Sequence, residues 1–342
     1  MEDSSQNLKH TIDMRKTYRY NVFYSEKYII FVENYILGGV YKMKVEKYVV
    51  SFNIAGWKWE ITEEPFGERL KRACRCIKSE APDAWIVGLS EVIPGTDGKY
   101  ISVIEREFPN YVLVLPKAYT SSNYRSAINI LLINREGYHE HQTRTLDNLA
   151  DSLLYNYVGV TTDYGYFRIL NVHMPHISNE DRPEWYQSER KELRAAFERS
   201  LFKECIAYKR EEDMQFICLG DLNCSPDSGF IQKLSGSFEP AIYNATRPAD
   251  RKKTTWRTPE HMDSHFDYVF YSMGTMLAPV VDIYHNEIID APISESISDH
   301  AIIRGKLRMN LNDWKNKIDQ FDNHLEQKKN EENYLTIGRG LH

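Results

Sequence analysis

Residues Phe216–Gly229 read FICLGDLNCSPDSG. The run Phe216, Ile217, Cys218, Leu219 is short and apolar, as a strand buried in a sheet is. It then ends on Asp221 and Asn223, with a proline and turn formers directly behind. In an extended chain residues i and i+2 point the same way, so a carboxylate and an amide stand side by side at the edge of a sheet. A packed core has no use for that ending, because a buried carboxylate without a partner is costly. Two polar heads at one sheet edge can converge on a ligand.

The same ending recurs along the chain. KYVVSFN closes on Asn53, AWIVGLSE on Glu91 and YFRILNVH on His173, and SISDHAII sets Asp299 and His300 just ahead of another apolar run. Singly, each has a bland reading: a turn-forming Asn, a solvated Glu, a partly buried His. As a set they are hard oxygen ligands and proton carriers, which loop chemistry alone has no reason to gather. Metal-assisted attack on a phosphodiester suits them. Magnesium takes oxygen ligands and keeps several waters, so Asn53, Glu91 and Asp299 suffice as a cradle for Mg²⁺ or Mn²⁺. Asp221 can take a proton from the attacking water, with Asn223 holding that water or a phosphoryl oxygen. His300, kept protonated by Asp267 of FDYVFYS, can face charge growing on the phosphoryl oxygens.

The rest of the sequence bounds the fold. The chain has 342 residues, 42% of them hydrophobic and 13% aromatic, including 23 tyrosines, which excludes a disordered chain and supports a sizeable core. Short runs rich in Val, Ile, Tyr and Phe (YVLVL, AINILLIN and FDYVFYS among them) read as strands, and Gly67–Glu80 and Glu184–Arg210 as amphipathic helices. Mixed strand and helix predicts a layered α/β domain over 47–308, preceded by an extension, 1–46, and followed by a tail, 309–342. In the extension, residues 1–20 are expected to be disordered and Tyr28–Tyr41 to form two strands around Gly38 and Gly39. In the tail, Leu311, Trp314, Ile318, Phe321 and Leu325 make an apolar stripe on a helix, which either docks on its own domain or forms a homodimer or partner contact.

Composition also narrows compartment and partners. The N-terminus MEDSSQNLKH is acidic and polar, unlike a signal peptide, and no apolar stretch reaches the roughly 20 residues of a bilayer crossing. The five cysteines show neither metal-ligand spacing nor a disulfide ladder. The expectation is an intracellular, cytoplasmic protein with no stable membrane association. Net charge is −6, so a polyanion would need a local patch. RPADRKKTTWR offers one: Arg247, Arg251, Lys252, Lys253 and Arg257 surround Trp256, a set that binds a phosphate backbone and stacks on a base, or forms a solvated loop.

The ordered series SFN, GLSE, NVHMP, LGDLNCSPDSG, FDYVFYS and SDH resembles the endonuclease/exonuclease/phosphatase superfamily over about Tyr48–Leu307. The resemblance implies an α/β/β/α four-layer sandwich of two mixed β-sheets packed face to face. It also implies roles: Asn53 and Glu91 on the metal side, Asp221 and Asn223 on water and phosphate, and Asp267 orienting the His of Asp299-His300. His173 matches a phosphate-contacting histidine of the deoxyribonuclease-like and sphingomyelinase-like branches, and Arg125 an arginine of the cytolethal-toxin-like nucleases. Ser90 replaces the usual Gln before the metal-binding Glu, and Phe52 the usual Trp or Tyr before the first Asn. LNCSPDSG and DYVFYS are most similar to the deadenylase and nocturnin branch. Three readings follow: a metal-dependent nuclease, a phospholipid or other small phosphoester hydrolase, and a binding protein that lost catalysis.

Overall fold

The structure, a computed structural model, describes residues 19–25, 28–34, 42–56, 65–146, 149, 152–163, 165–177, 183–208, 214–235, 238–240, 256, 265–272, 280–284 and 297–310. The chain divides into two units, one spanning Lys47–Leu307 and the other combining Met1–Glu46 with Arg308–His342. In the latter, β1 (Arg19–Ser25) and β2 (Tyr28–Asn34) form an antiparallel hairpin with Ser25 opposite Tyr28. β2 also pairs antiparallel with the start of β3 (Lys42–Asn53), Val32 opposite Met43. Arg19 and Tyr20, expected in the disordered start, therefore open a strand, in keeping with the aromatic and β-branched residues that follow them. Residues 35–41, with Gly38 and Gly39, and the stripe 311–325 lie outside the described residues.

In the unit Lys47–Leu307, helix α1 (Phe66–Glu80) follows β3 and starts behind Pro65, a residue suited to a helix entrance. Then come β4 (Ala84–Val92), α2 (Lys99–Glu107), β5 (Tyr111–Val114) and β6 (Ile128–Asn134). β3 and β4 are parallel, whereas β4, β6 and β5 pair antiparallel. β6, INILLIN, is apolar at almost every position because both faces are covered, and all but its last residue are buried.

The next six strands form a second sheet: β7 (Tyr138–Arg144), β8 (Tyr155–Thr162), β9 (Gly165–His173), β10 (Met214–Asp221), β11 (Phe238–Pro240) and β12 (Asp267–Ser272). Its order is β11-β12-β10-β9-β8-β7, mixed because β9 and β10 are parallel and the other neighbours antiparallel. Between its strands lie α3 (Glu184–Tyr208) and α4 (Gly229–Ser235). β13 (Val280–Tyr284) and β14 (Ile302–Asn310) return to the first sheet, where β14 pairs β13 and β3.

Alternation decides which side each residue serves. Val50, Phe52 and Ile54 join Leu70, Ala73, Cys74 and Ile77 of α1 and Ile104 of α2 in one apolar cluster on the outer face of the first sheet. On the inner face Trp85 meets Phe167 of β9 edge-on at 4.6 Å. Asn171 of β9 donates from Nδ2 to the Leu89 and Ile130 carbonyls at 3.0 and 2.9 Å, stapling one sheet to the other. The approach is close at Gly88, where a Cβ would fall 2.3 Å from Leu219. The far face of the second sheet is covered by α3, with Phe197 against Tyr155 at 5.9 Å and Glu204 accepting from Tyr157 at 2.7 Å. The layers are helix, sheet, sheet, helix, as the motif series implied.

Candidate active site

Strand register brings the polar ends together. On the second sheet Asp221 lies opposite His173 on β9 and opposite Asp267 on β12, so three neighbouring strands present His, Asp and Asp in a row at one edge. β12 runs antiparallel to β10, which is why it contributes its first residue where β9 and β10 contribute their last. Directly before Asp221, Gly220 holds φ at 130°, and a Cβ there would meet the Val172 carbonyl at 1.9 Å. Only glycine allows that approach. Past the strand, the Asn223 amide nitrogen donates to Asp221 Oδ1 at 2.8 Å, and Asn223 Nδ2 donates to the Met174 carbonyl at 2.8 Å.

The first sheet supplies the facing half. Asn53, at the end of β3, is 1% exposed. Its Nδ2 donates to Asp221 Oδ2 and to Glu91 Oε1, both at 3.1 Å, and its Oδ1 accepts the Ala55 amide at 2.9 Å. The oxygen thus accepts one backbone hydrogen bond and keeps a second lone pair, while Asn53 bridges two carboxylates through its NH₂. Glu91 reaches them because β4 bulges: Leu89 pairs with Ile130 and Val92 with Ile128, leaving Ser90 and Glu91 opposite one residue, with Glu91 at φ 57°. Strict alternation would turn Glu91 toward the helices with Leu89; the bulge re-aims it into the site. Ala55 and Asn223 also sit at positive φ, 47° each, so three of the four non-glycine residues in that strained region among the described residues cluster here, Asp97 before α2 being the fourth.

Asp299 and His300, ahead of β14, close the site. His300 Nδ1 lies 2.8 Å from Asp267 Oδ2, while its Nε2 faces Asp221 Oδ2 at 3.8 Å and Asp299 Oδ1 at 3.9 Å. His173 Nε2 stands 3.8 Å from Asp221 Oδ2 and 3.6 Å from Glu91 Oε1. Trp256 donates from Nε1 to Asp299 Oδ2 at 2.9 Å and forms an isolated bridge with His300. Ser298, which the sequence reading missed, donates to the Asn53 carbonyl at 2.7 Å and accepts the His300 amide at 3.1 Å. No pattern in a lone serine before Asp-His could have marked it.

Electrostatics favour a cation. Among the described residues the carboxylates of Glu91, Asp221, Asp267 and Asp299 face the imidazoles of His173 and His300, more acids than bases in a mostly buried place. Burial pushes the Asp221 carboxyl above the usual range, Asp267 adds to this, and His300 and His173 oppose it. Burial works to lower His300, but the carboxylates of Asp267, Asp221 and Asp299 overrule it and push its pKa up to about 10. Asp221, Asp267 and His300 lie close enough to share an ion. His300 Nδ1 is already engaged by Asp267, whereas Glu91 and Asp299 offer carboxylate oxygens, the hard donors a divalent cation takes.

Arg125 is exposed in the loop before β6, its guanidinium 5.1 Å from the Tyr124 ring centre. Arg251, Lys252 and Lys253 lie outside the described residues. Beside Asn223 opens a cavity of about 460 Å³ lined by His176, Ser225, Ser228 and Phe230 among others. Burial lowers the His176 pKa, and only its place in NVHMPH hinted at it. Among the described residues no helix is long and apolar enough to cross a membrane, and Cys74, Cys76, Cys218 and Cys224 form no disulfide.

No family model and no curated protein matches the chain. Solved structures do. An endonuclease/exonuclease/phosphatase family protein of Bacteroides thetaiotaomicron superposes with a TM-score of 0.58 at 14% identity, covering 79% of this chain and 98% of that one. Danio rerio TDP2, solved with a single-strand DNA product, gives 0.52 at 16% identity over 77% and 98%. The beta toxin of Staphylococcus aureus gives 0.53 at 14% identity over 76% and 99%. The chain has the fold of the endonuclease/exonuclease/phosphatase superfamily.

Proposed function

We propose that this protein is a divalent-metal-dependent phosphodiesterase acting on nucleic acid. The observation that carries the reading is the convergence of Asn53, Glu91, His173, Asp221, Asp267, Asp299 and His300 on one edge of two facing sheets, joined by contacts of 2.8–3.9 Å. Glu91 and Asp299 would hold Mg²⁺ or Mn²⁺, with Asn53 fixing Glu91; when bound, the ion supplies positive charge to the ester's phosphoryl group. Asp221 is the base. Its Oδ1 is fixed by the Asn223 amide, its raised pKa makes it a better proton acceptor, and a water beside Oδ2 gives up a proton as its oxygen bonds phosphorus and the ester P–O bond breaks. The leaving oxygen takes a proton from solvent. Protonated His300, oriented by Asp267, and His173 face the charge on the nonbridging oxygens. Asn223 keeps a second Nδ2 hydrogen for a phosphoryl oxygen.

Two points support nucleic acid. Trp256, the described residue of RPADRKKTTWR, bonds Asp299, and in the sequence Lys253 stands three positions before it. In addition, a structural neighbour holds a single-strand DNA product. The test is hydrolysis of plasmid DNA, single-stranded DNA and RNA, poly(A), sphingomyelin and a phosphoinositide with Mg²⁺ or Mn²⁺, beside chelated and His300→Ala controls. Nucleic acid is expected to be cut, with kcat down about 10²–10³-fold in His300→Ala. Cleavage of lipid alone would favour the phospholipid reading, and no hydrolysis anywhere a binding protein.

A further inference from the structure

Each helical layer sends one buried arginine under the site. Arg69 of α1 is 4% exposed and Arg194 of α3 is 6% exposed. Burying a guanidinium is costly unless its donors are met, and here backbone carbonyls meet most of them, with Glu198 accepting from Arg194 Nε at 3.2 Å. Arg69 donates from Nη1 to the Ile54 and Ile297 carbonyls at 2.9 and 3.1 Å, and from Nη2 to the Ala55 carbonyl at 3.0 Å. Ile54 and Ala55 directly follow Asn53; Ile297 lies two residues before Asp299. Arg194 donates from Nη1 to the Pro175 carbonyl at 2.8 Å and from Nη2 to the Leu222 carbonyl at 3.0 Å and to Cys224 Sγ. Pro175 follows His173 by two residues, while Leu222 and Cys224 flank Asn223. Both arginines therefore join two loops that are far apart in sequence, and each loop carries site residues.

The geometry points to Arg69 and Arg194 as a pair of positioning residues, one per sheet. Arg69 sets the Asn53 loop against the Asp299-His300 loop, and Arg194 sets the His173 loop against the Asp221-Asn223 loop. Both hold these loops through backbone carbonyls, and Arg194 also lines the cavity beside Asn223. A planar fork that reaches two carbonyls at once is what Arg offers and Lys does not. The effect on turnover rests on the phosphodiesterase reading above, but the effect on loop position does not. Loss of a 1 Å alignment can cost about 10²-fold in rate with little loss of binding.

The experiment reads the two effects separately. The Trp256 indole N–H, bonded to Asp299, is a reporter of the 297–300 loop, and its resonance is assigned by its loss in Trp256→Phe. In the full-length, metal-free chain, Arg69→Lys is expected to shift that resonance and raise its exchange with water several-fold, whereas Arg194→Lys leaves it in place. Should Arg69→Lys fail to fold, Ser298→Ala loosens the same junction and is expected to move the same signal. In turnover assays each Arg→Lys variant is expected to lose about 10–100-fold in kcat with KM within about threefold. An unmoved Trp256 signal in Arg69→Lys or Ser298→Ala would overturn the assignment, as would equal movement in the Arg194 variant. A wild-type chain that cuts no phosphodiester would sink the function and leave the resonance test standing.

Discussion

His300 is the residue on which the most geometry converges. With Asp267 on Nδ1 and Asp221 and Asp299 facing Nε2, it is a buried cation whose proton is worth more in the folded chain than in the unfolded one. A histidine titrates near 6.5 when unfolded, and here near 10 when folded, so its contribution to stability is complete below about 6.5 and lost as pH rises through about 10. Denaturant titrations without metal should thus show the gap between wild type and His300→Gln widest near pH 6 and shrinking toward pH 10; parallel curves would refute the pairing. Asp221 has the opposite sign. Its raised pKa favours the protonated folded form, so folding loses stability as pH rises above the ordinary carboxyl value of roughly 3.9. Asp221→Asn should therefore be neutral or stabilising above pH 5 in the metal-free chain while kcat falls about 10²–10⁴-fold, read by denaturation and by turnover.

At the level of elements, the sequence showed the strand ends well and their local geometry poorly. Asn53, His173 and Asp221 obey the two-residue period of a strand, so apolar runs that closed on polar heads could be found by inspection. Glu91 does not obey it. A bulge and a positive φ turn it into the site, and these depend on pairing with β6 that no local pattern encodes. The arginines were legible in principle, since Arg69 shares a helix face with Ala73 and Ile77, and Arg194 with Phe197 and Leu201, each a charge on a buried stripe. Trp256 stood out as a base-stacking aromatic; in the structure its N–H goes to Asp299 and its ring lies 5.4 Å from that of Phe266, contacts no sequence pattern marked. Asn171, apolar in no way yet fully buried, was invisible until the facing sheet supplied its two acceptors. Asn171→Leu is expected to cost about 2–4 kcal/mol in denaturant unfolding, since the carbonyls of Leu89 and Ile130 lose that donor and the larger side chain meets the Gly88 approach.

For the whole molecule, two sheets contribute complementary halves of one site: Asn53, Glu91, Asp299 and His300 from the first, His173, Asp221, Asn223 and Asp267 from the second. That division explains why the motifs are spread over some 250 positions and why no single motif sufficed. The charge of the chain is −6, so under the proposed function attraction of a nucleic acid would have to be local. Reversing Lys252 and Lys253 to Glu should lower the magnitude of the salt slope for single-stranded binding by at least about 1.4, the share of two phosphate contacts. An unaltered slope would return that loop to solvent. The central claim is where a cation sits. Crystals grown with Mn²⁺ and measured for anomalous scattering should show a peak bonded to carboxylate oxygens of Glu91 and Asp299; a peak enclosed instead by Asp221, Asp267 and His300, or none at all, would contradict it.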